Sequence, residues 1–125
     1  MITENNLKFQ LSHHTGSDIF HGPMTKPFKY TEGAKHYFEL AQCWWLHDIL
    51  ATEFRMAIIR TKQVDTFYFT ITVKEMKAVL VLNDYNEKEI FSKNINYTSH
   101  PDGEYKLEIG NHGKGLMICC LPSEN

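Results

Sequence analysis

The spacing of apolar residues along the chain changes once, near residue 54. Before that point, in YTEGAKHYFELAQCWWLHDILATEF, Ala34, Tyr37, Phe38, Ala41, Trp44, Trp45 and Ile49 recur every three or four positions. At 100° per residue they form one stripe, which predicts a single long amphipathic helix over residues 31–53. Thr31 is a good N-cap, and Glu32 puts a carboxylate in the first turn, where unpaired N–H groups favour negative charge. Gly33 opposes the helix by about 1 kcal/mol.

After residue 54 the period is two. In TFYFTITVK, Phe67, Phe69, Ile71 and Val73 point one way, and Tyr68, Thr70, Thr72 and Lys74 the other. FRMAIIRT, AVLVLN, KEIFSKNINY, EYKLEI and LMICCL read as further strands, with KEMK, DYNE, HPDG and GNHGKG as the turns among them. Strands this close together, with no helices between them, leave no room for parallel crossovers. The expected fold is therefore α+β: one long helix packed on a mainly antiparallel meander sheet of about five to six strands. Trp45 and Phe69 are its expected core residues. The first thirty residues carry the turn formers TGSD and HGPMTKP, and read as an irregular arm with one short helix near residues 5–11. The organisation is one domain over residues 1–125, with arm 1–30, helix 31–53 and sheet 54–125. A chain of 125 residues buries about two-thirds of its unfolded surface and needs neither disulfide nor metal to fold.

Composition narrows the function classes. Lys and Arg number 13 against 15 Asp and Glu, a net charge of -2 with interspersed signs, which disfavours nucleic acid as a partner. The three cysteines, Cys43, Cys119 and Cys120, have no framework spacing and fit reduced thiols in a cytoplasmic protein. MITENNLKFQ is polar, and no apolar run approaches the roughly 20 residues that span a bilayer, so no membrane association is expected.

Asp48 is the candidate that carries the most chemistry, because the helical period sets it among the apolar positions. A carboxylate there must be hydrogen-bonded, paired, or close to the end of the stripe where water reaches it. Thr15, Ser17, His21 and backbone N–H groups of the arm are available partners, and the expectation is a polar anchor formed by Asp48 and His21. The alternative is a small enzyme using the same two residues as acid and base. The other helix face carries His36, Leu40, Cys43, His47 and Leu50, and is expected to face a partner, either another protein or a second copy of the chain. Cys43 and His47, four apart, have a spacing that chelates zinc, but no third ligand completes the set, and no metal or other cofactor is expected. Cys119 and Cys120 fall in an apolar strand, where buried thiols are inert. GNHGKG lies between two strands rather than before a helix, so it is a hairpin loop and not a phosphate cradle. Tyr68, Tyr97 and Tyr105 would suit a nucleic-acid-binding module, a further alternative, but without basic residues around them cross-strand pairing is the better reading.

Four pieces, TGSDIFH, YTEGAKHYFELAQCWWLHDIL, INYTSHP and GLMICCLPSEN, in this order and spacing, resemble a family of small bacterial and phage proteins of unknown function (DUF6876-like). Trp44 stands where the family pattern has a tyrosine, and the twin cysteines are particular to this chain. The resemblance implies no catalytic residues. It implies an accessory role in phages or mobile elements: a small non-enzymatic binding protein acting through protein–protein contact, with an anti-CRISPR type of inhibitor of a host defence complex as the specific expectation.

Overall fold

The computed structural model describes residues 2–13, 20–21 and 28–124. Thr3 caps the first helix, α1 (Glu4–Leu11), by accepting the Asn6 N–H at 3.3 Å, and Leu7 is its buried residue. Strands β1 (Phe20–His21) and β2 (Phe28–Thr31) follow, and Thr31 then caps α2 (Glu32–Leu40) through the Ala34 N–H. Gly33, Ala34, Tyr37 and Phe38 are buried on α2, as their spacing predicts.

The predicted long helix is broken after Leu40. Gln42 adopts φ +53°, the Cys43 N–H returns to the Phe38 carbonyl at 2.9 Å, and the Gln42 N–H returns to Glu39 at 3.2 Å. This is the 6→1, 5→2 pair of a Schellman cap with glutamine in the left-handed position that glycine usually takes. The helix then restarts as α3 (Trp44–Ile49), passes through a π turn (Leu50–Phe54) and ends as α4 (Arg55–Thr61). FRMAIIRT, expected as a strand, is thus helical. Its buried residues Phe54, Ala57 and Ile58 have offsets of three and four, which pack on a helix and not on a pleated face.

Among the described residues seven strands form one sheet in the order β1-β2-β7-β6-β3-β4-β5. The C-terminal five are β3 (Thr66–Lys74), β4 (Lys77–Asn83), β5 (Glu89–Ile95), β6 (Gly103–Asn111) and β7 (Met117–Cys120). All pairings are antiparallel except β2 with β7, so the α+β, mainly antiparallel architecture is as expected. The meander covers only β3 to β5. Residues 96–102 then cross the sheet, and β6 pairs with the other edge of β3. The arm, read as irregular, supplies two strands and the parallel pairing.

Phe67, Phe69, Ile71 and Val73 face inward from β3 as predicted, and the core joins them to Phe38, Leu46, Leu50, Phe54 and Ile58 of the helices. Phe69 is fully buried, with its ring edge-on to Phe54 at 5.4 Å; Trp45 is only partly buried against this core. The described helices therefore lie over one face of the sheet. None of them is long and apolar enough to cross a membrane. At the C-terminus a short 3-10 turn (Pro122–Glu124) returns the chain to the start of α2.

Candidate functional site

The Schellman cap decides where Asp48 goes. By turning the chain at residues 41–43 it puts Leu46, Leu50 and Phe54 inward, leaves Trp44 39% exposed, and brings the Asp48 side chain to the surface at 80% exposure. Asp48 thus lies outside the apolar stripe. Among the described residues its partner is its neighbour, with Oδ1 3.1 Å from His47 Nδ1. The backbone of His21 pairs with Tyr30 between β1 and β2, but the His21 side chain, Thr15 and Ser17 lie outside the described residues, and so does any Asp48–arm contact. His47 packs edge-on against Tyr30, Phe28, Phe38 and Trp44, with ring centroids 5.0 to 5.7 Å away. Its Nε2 is shielded from solvent and has no hydrogen-bond partner among the described residues.

The helix face expected to meet a partner does not stay together. Cys43 and Leu50 are fully buried, which removes both from any partner-facing surface, while His36, Leu40 and His47 are half-buried. The reason is again the cap, because one helical period no longer runs through residues 36 to 50. Burial of Cys43 also separates it from the surface a zinc ion would occupy. Among the described residues no group of three or more His, Cys, Asp or Glu is placed to hold a metal ion.

A buried polar chain, missed in the sequence, links α2 to the crossover. His100 is 3% exposed, and its Nδ1 lies 2.8 Å from the Pro101 carbonyl, which can only accept, so Nδ1 carries the proton. Nε2 must then accept, and the Tyr37 O–H donates to it at 2.6 Å. Cys43, buried on the same side, interacts electrostatically with Tyr37. Thr98 Oγ1 accepts the His100 N–H at 3.0 Å, and the Thr98 N–H donates to Met76. This is the structural content of INYTSHP: a clip that holds residues 96–102 against the helix layer. The sequence signal was a Thr-x-His-Pro run in a loop, where the threonine hydroxyl can meet a backbone N–H two residues on.

The electrostatics of these groups oppose nucleophilic use. Burial pushes the Cys43 thiol up to about 12, with Tyr37 acting weakly the other way. Burial likewise raises Cys120 to about 12, helped by Glu108 and Glu124, and lifts Cys119 well above the ordinary thiol range. Burial also raises Tyr37 and lowers His100. All three thiols stay protonated at neutral pH, and a thiol is a poor nucleophile.

A concavity lies on the sheet face away from the helices. A groove of about 680 Å³ is lined by residues that include Tyr68, Asn83, Tyr85, Glu87, Lys106 and Glu108. Register builds it: Tyr68 stands opposite Asn83 on one side and Glu108 on the other, and Glu108 opposite Cys120. Tyr85 is 63% and Tyr68 38% exposed, so aromatic surface rims the groove. Glu87 and Glu108 outweigh Lys106 in it, a balance that repels phosphate. The three tyrosines considered for base stacking do not share a surface. Tyr105 is buried on the helix side, and Tyr97 stands exposed on the crossover.

Comparison with curated proteins and with solved structures finds no match in either. A family model does match, over residues 5–125. The chain therefore belongs to the Family of unknown function (DUF6876).

Proposed function

We propose that this protein is a small non-enzymatic binding protein that acts through protein–protein contact, and that the face of the sheet away from the helices is its contact surface. The observation that carries this reading is the groove of about 680 Å³ on that face, rimmed by Tyr68 and Tyr85. Tyrosines of this kind anchor protein interfaces, since each brings a large contact area and a polar tip at a low cost in side-chain entropy. The competing enzyme reading needs Asp48 in a cleft beside a second catalytic group, whereas Asp48 stands in solvent at 80% exposure. The nucleic-acid reading needs basic surface beside the aromatics, whereas this groove is acidic on balance. An accessory role in a phage or mobile element, including inhibition of a host defence complex, is one instance of this reading and rests on the family resemblance alone.

The test is affinity capture with the tagged full chain in native host lysate, alongside the double variant Tyr68→Ala, Tyr85→Ala. The wild type is expected to retain one protein in stoichiometric amount. The variant is expected to lose it while melting within about 3 °C of wild type, since both side chains are solvent-exposed. Equal capture by the folded variant would contradict the assignment of this face. Recovery of the chain alone, as a dimer that the variant abolishes, would move the partner from another protein to a second copy.

A further inference from the structure

Strand β5 ends the described sheet. It pairs with β4 and, among the described residues, with no strand on its outer side. Alternate residues of an edge strand direct N–H and C=O groups outward, so the seven residues of β5 form a template for one more strand. The opposite end of the sheet, β1, is two residues long. The register Leu82↔Phe91, Leu80↔Lys93 and Ala78↔Ile95 turns Phe91, Lys93 and Ile95 toward the helix layer, because their partners on β4 are buried there. Between β5 and the helical residues above it lies a groove of about 540 Å³, lined by Ala51, Thr52, Arg55, Met56, Arg60 and Phe91 together with Glu53. Met56 is 44% exposed in it.

The charges of the groove do not cancel. Glu53 is held by Lys93 at 3.0 Å, which neutralises both. Arg55 donates through Nε to the Gly115 carbonyl, a neutral acceptor. Arg60 forms no ion pair among the described residues. The bond to Gly115 turns Arg55 toward the β6–β7 hairpin, so the Arg60 guanidinium is the one that stands uncompensated, among the described residues, beside an apolar patch and an unpaired strand edge.

We propose that this edge binds an extended segment of another protein that adds to β5 as a strand, sets an apolar side chain against Met56 and Phe91, and directs a carboxylate toward Arg60. The spacing suits a strand. Met56 and Arg60 are four residues apart, about 6 Å along a helix, and alternate residues of a strand are about 7 Å apart on one face. The charge selects an acidic segment, since a carboxylate meets a guanidinium in a paired geometry. A second copy is a worse occupant: antiparallel pairing of β5 with itself about Ser92 would set Phe91 against Lys93 and bring two arginine-lined grooves together. The site is on the helix side and at the edge of the sheet, and it stands or falls independently of the open-face groove.

The experiment selects displayed random nonapeptides on the immobilised full chain, then measures synthetic copies of the enriched peptides by fluorescence anisotropy and by hydrogen exchange. Enriched peptides are expected to place an Asp or Glu two residues from an apolar residue. They should slow exchange at β5 amides, and bind Arg60→Glu at least tenfold more weakly than wild type and Arg60→Lys within about threefold of it. If Arg60→Glu melts below wild type, Arg60→Gln replaces it with the same expected direction. Tyr68→Ala should leave binding unchanged. No enrichment, undiminished binding to the folded Arg60 variant, or protection outside β5 would overturn the proposal. Concentration-dependent protection of β5 without peptide would overturn it in favour of a second copy.

Discussion

Replacing Glu124 by alanine should destabilise the protein through the start of α2, 91 residues away in sequence. The Glu124 carboxylate accepts the Thr31 hydroxyl at 2.6 Å, the Gly33 N–H at 3.1 Å and the Leu121 N–H at 3.0 Å. It thus completes the N-cap of α2 with an anion placed where helix N–H groups are unpaired. Each charge-assisted bond in a dry site contributes about 1.5–3 kcal/mol, but this site is half-buried and water would solvate part of what is released. The expected loss for Glu124→Ala is about 2–3 kcal/mol, or roughly 6–12 °C in Tm for a domain of this size. Gly33 supplies an internal control. A Cβ there would lie 2.5 Å from the Glu124 carboxyl carbon, so Gly33→Ala must push the carboxylate out of place and should also destabilise. In the Glu124→Ala background the obstruction is gone, and the same substitution should stabilise by about 0.5–1 kcal/mol from helix propensity. Urea unfolding followed by tryptophan fluorescence gives the four free energies. A Glu124→Ala loss below 0.5 kcal/mol, or an additive cycle with no change of sign at Gly33, would refute the reasoning.

His100 makes stability depend on pH in a stated direction. Because burial lowers its proton affinity, the unfolded chain takes up a proton first as pH falls below the ordinary histidine value of about 6.5, so stability is fully present above that value and declines below it. The slope between pH 7 and 5 should be shallower in His100→Phe, and an unchanged slope would remove His100 as its source. Native protein should react with a thiol reagent at pH 8 about a thousandfold more slowly than free cysteine, since the thiols of Cys43 and Cys120 are raised to about 12; rapid modification would show an open thiol. Phe69→Ala should cost about 3–5 kcal/mol and Trp45→Ala less, following their full and partial burial, and the reverse order would contradict the packing.

Much of the architecture was legible because it follows from periodicity over long runs. The alternation of TFYFTITVK correctly assigned both faces of β3, and the stripe through Phe38 correctly assigned the buried face of α2. What escaped depends on single residues whose chemistry does not announce itself. Gln42 takes a left-handed conformation with no glycine or proline to mark it, so the break after Leu40 was invisible; Trp45 and Ile49 still pack against the core, but Cys43, Trp44, Asp48 and Leu50 fall on other sides than the unbroken period implies. The inward reading of Asp48 and the outward reading of Cys43 both came from that one error. Strand β2 escaped for a different reason: four residues are too few for alternation to show, and its pairing with β7 is set by tertiary contact. The clip at His100 and the carboxylate cap from Glu124 span 63 and 91 residues, a distance over which local pattern carries no information.

The proposed function places the main partner contact on the open face of the sheet and not on the helix surface around Asp48. In vivo photo-crosslinking tests it most directly, with a photoreactive phenylalanine placed in turn at Tyr68 and at Asp48, both solvent-exposed. The account predicts one discrete adduct to another protein from position 68 and none from position 48. An adduct from position 48 with none from position 68 would contradict it and return the contact to the helix face.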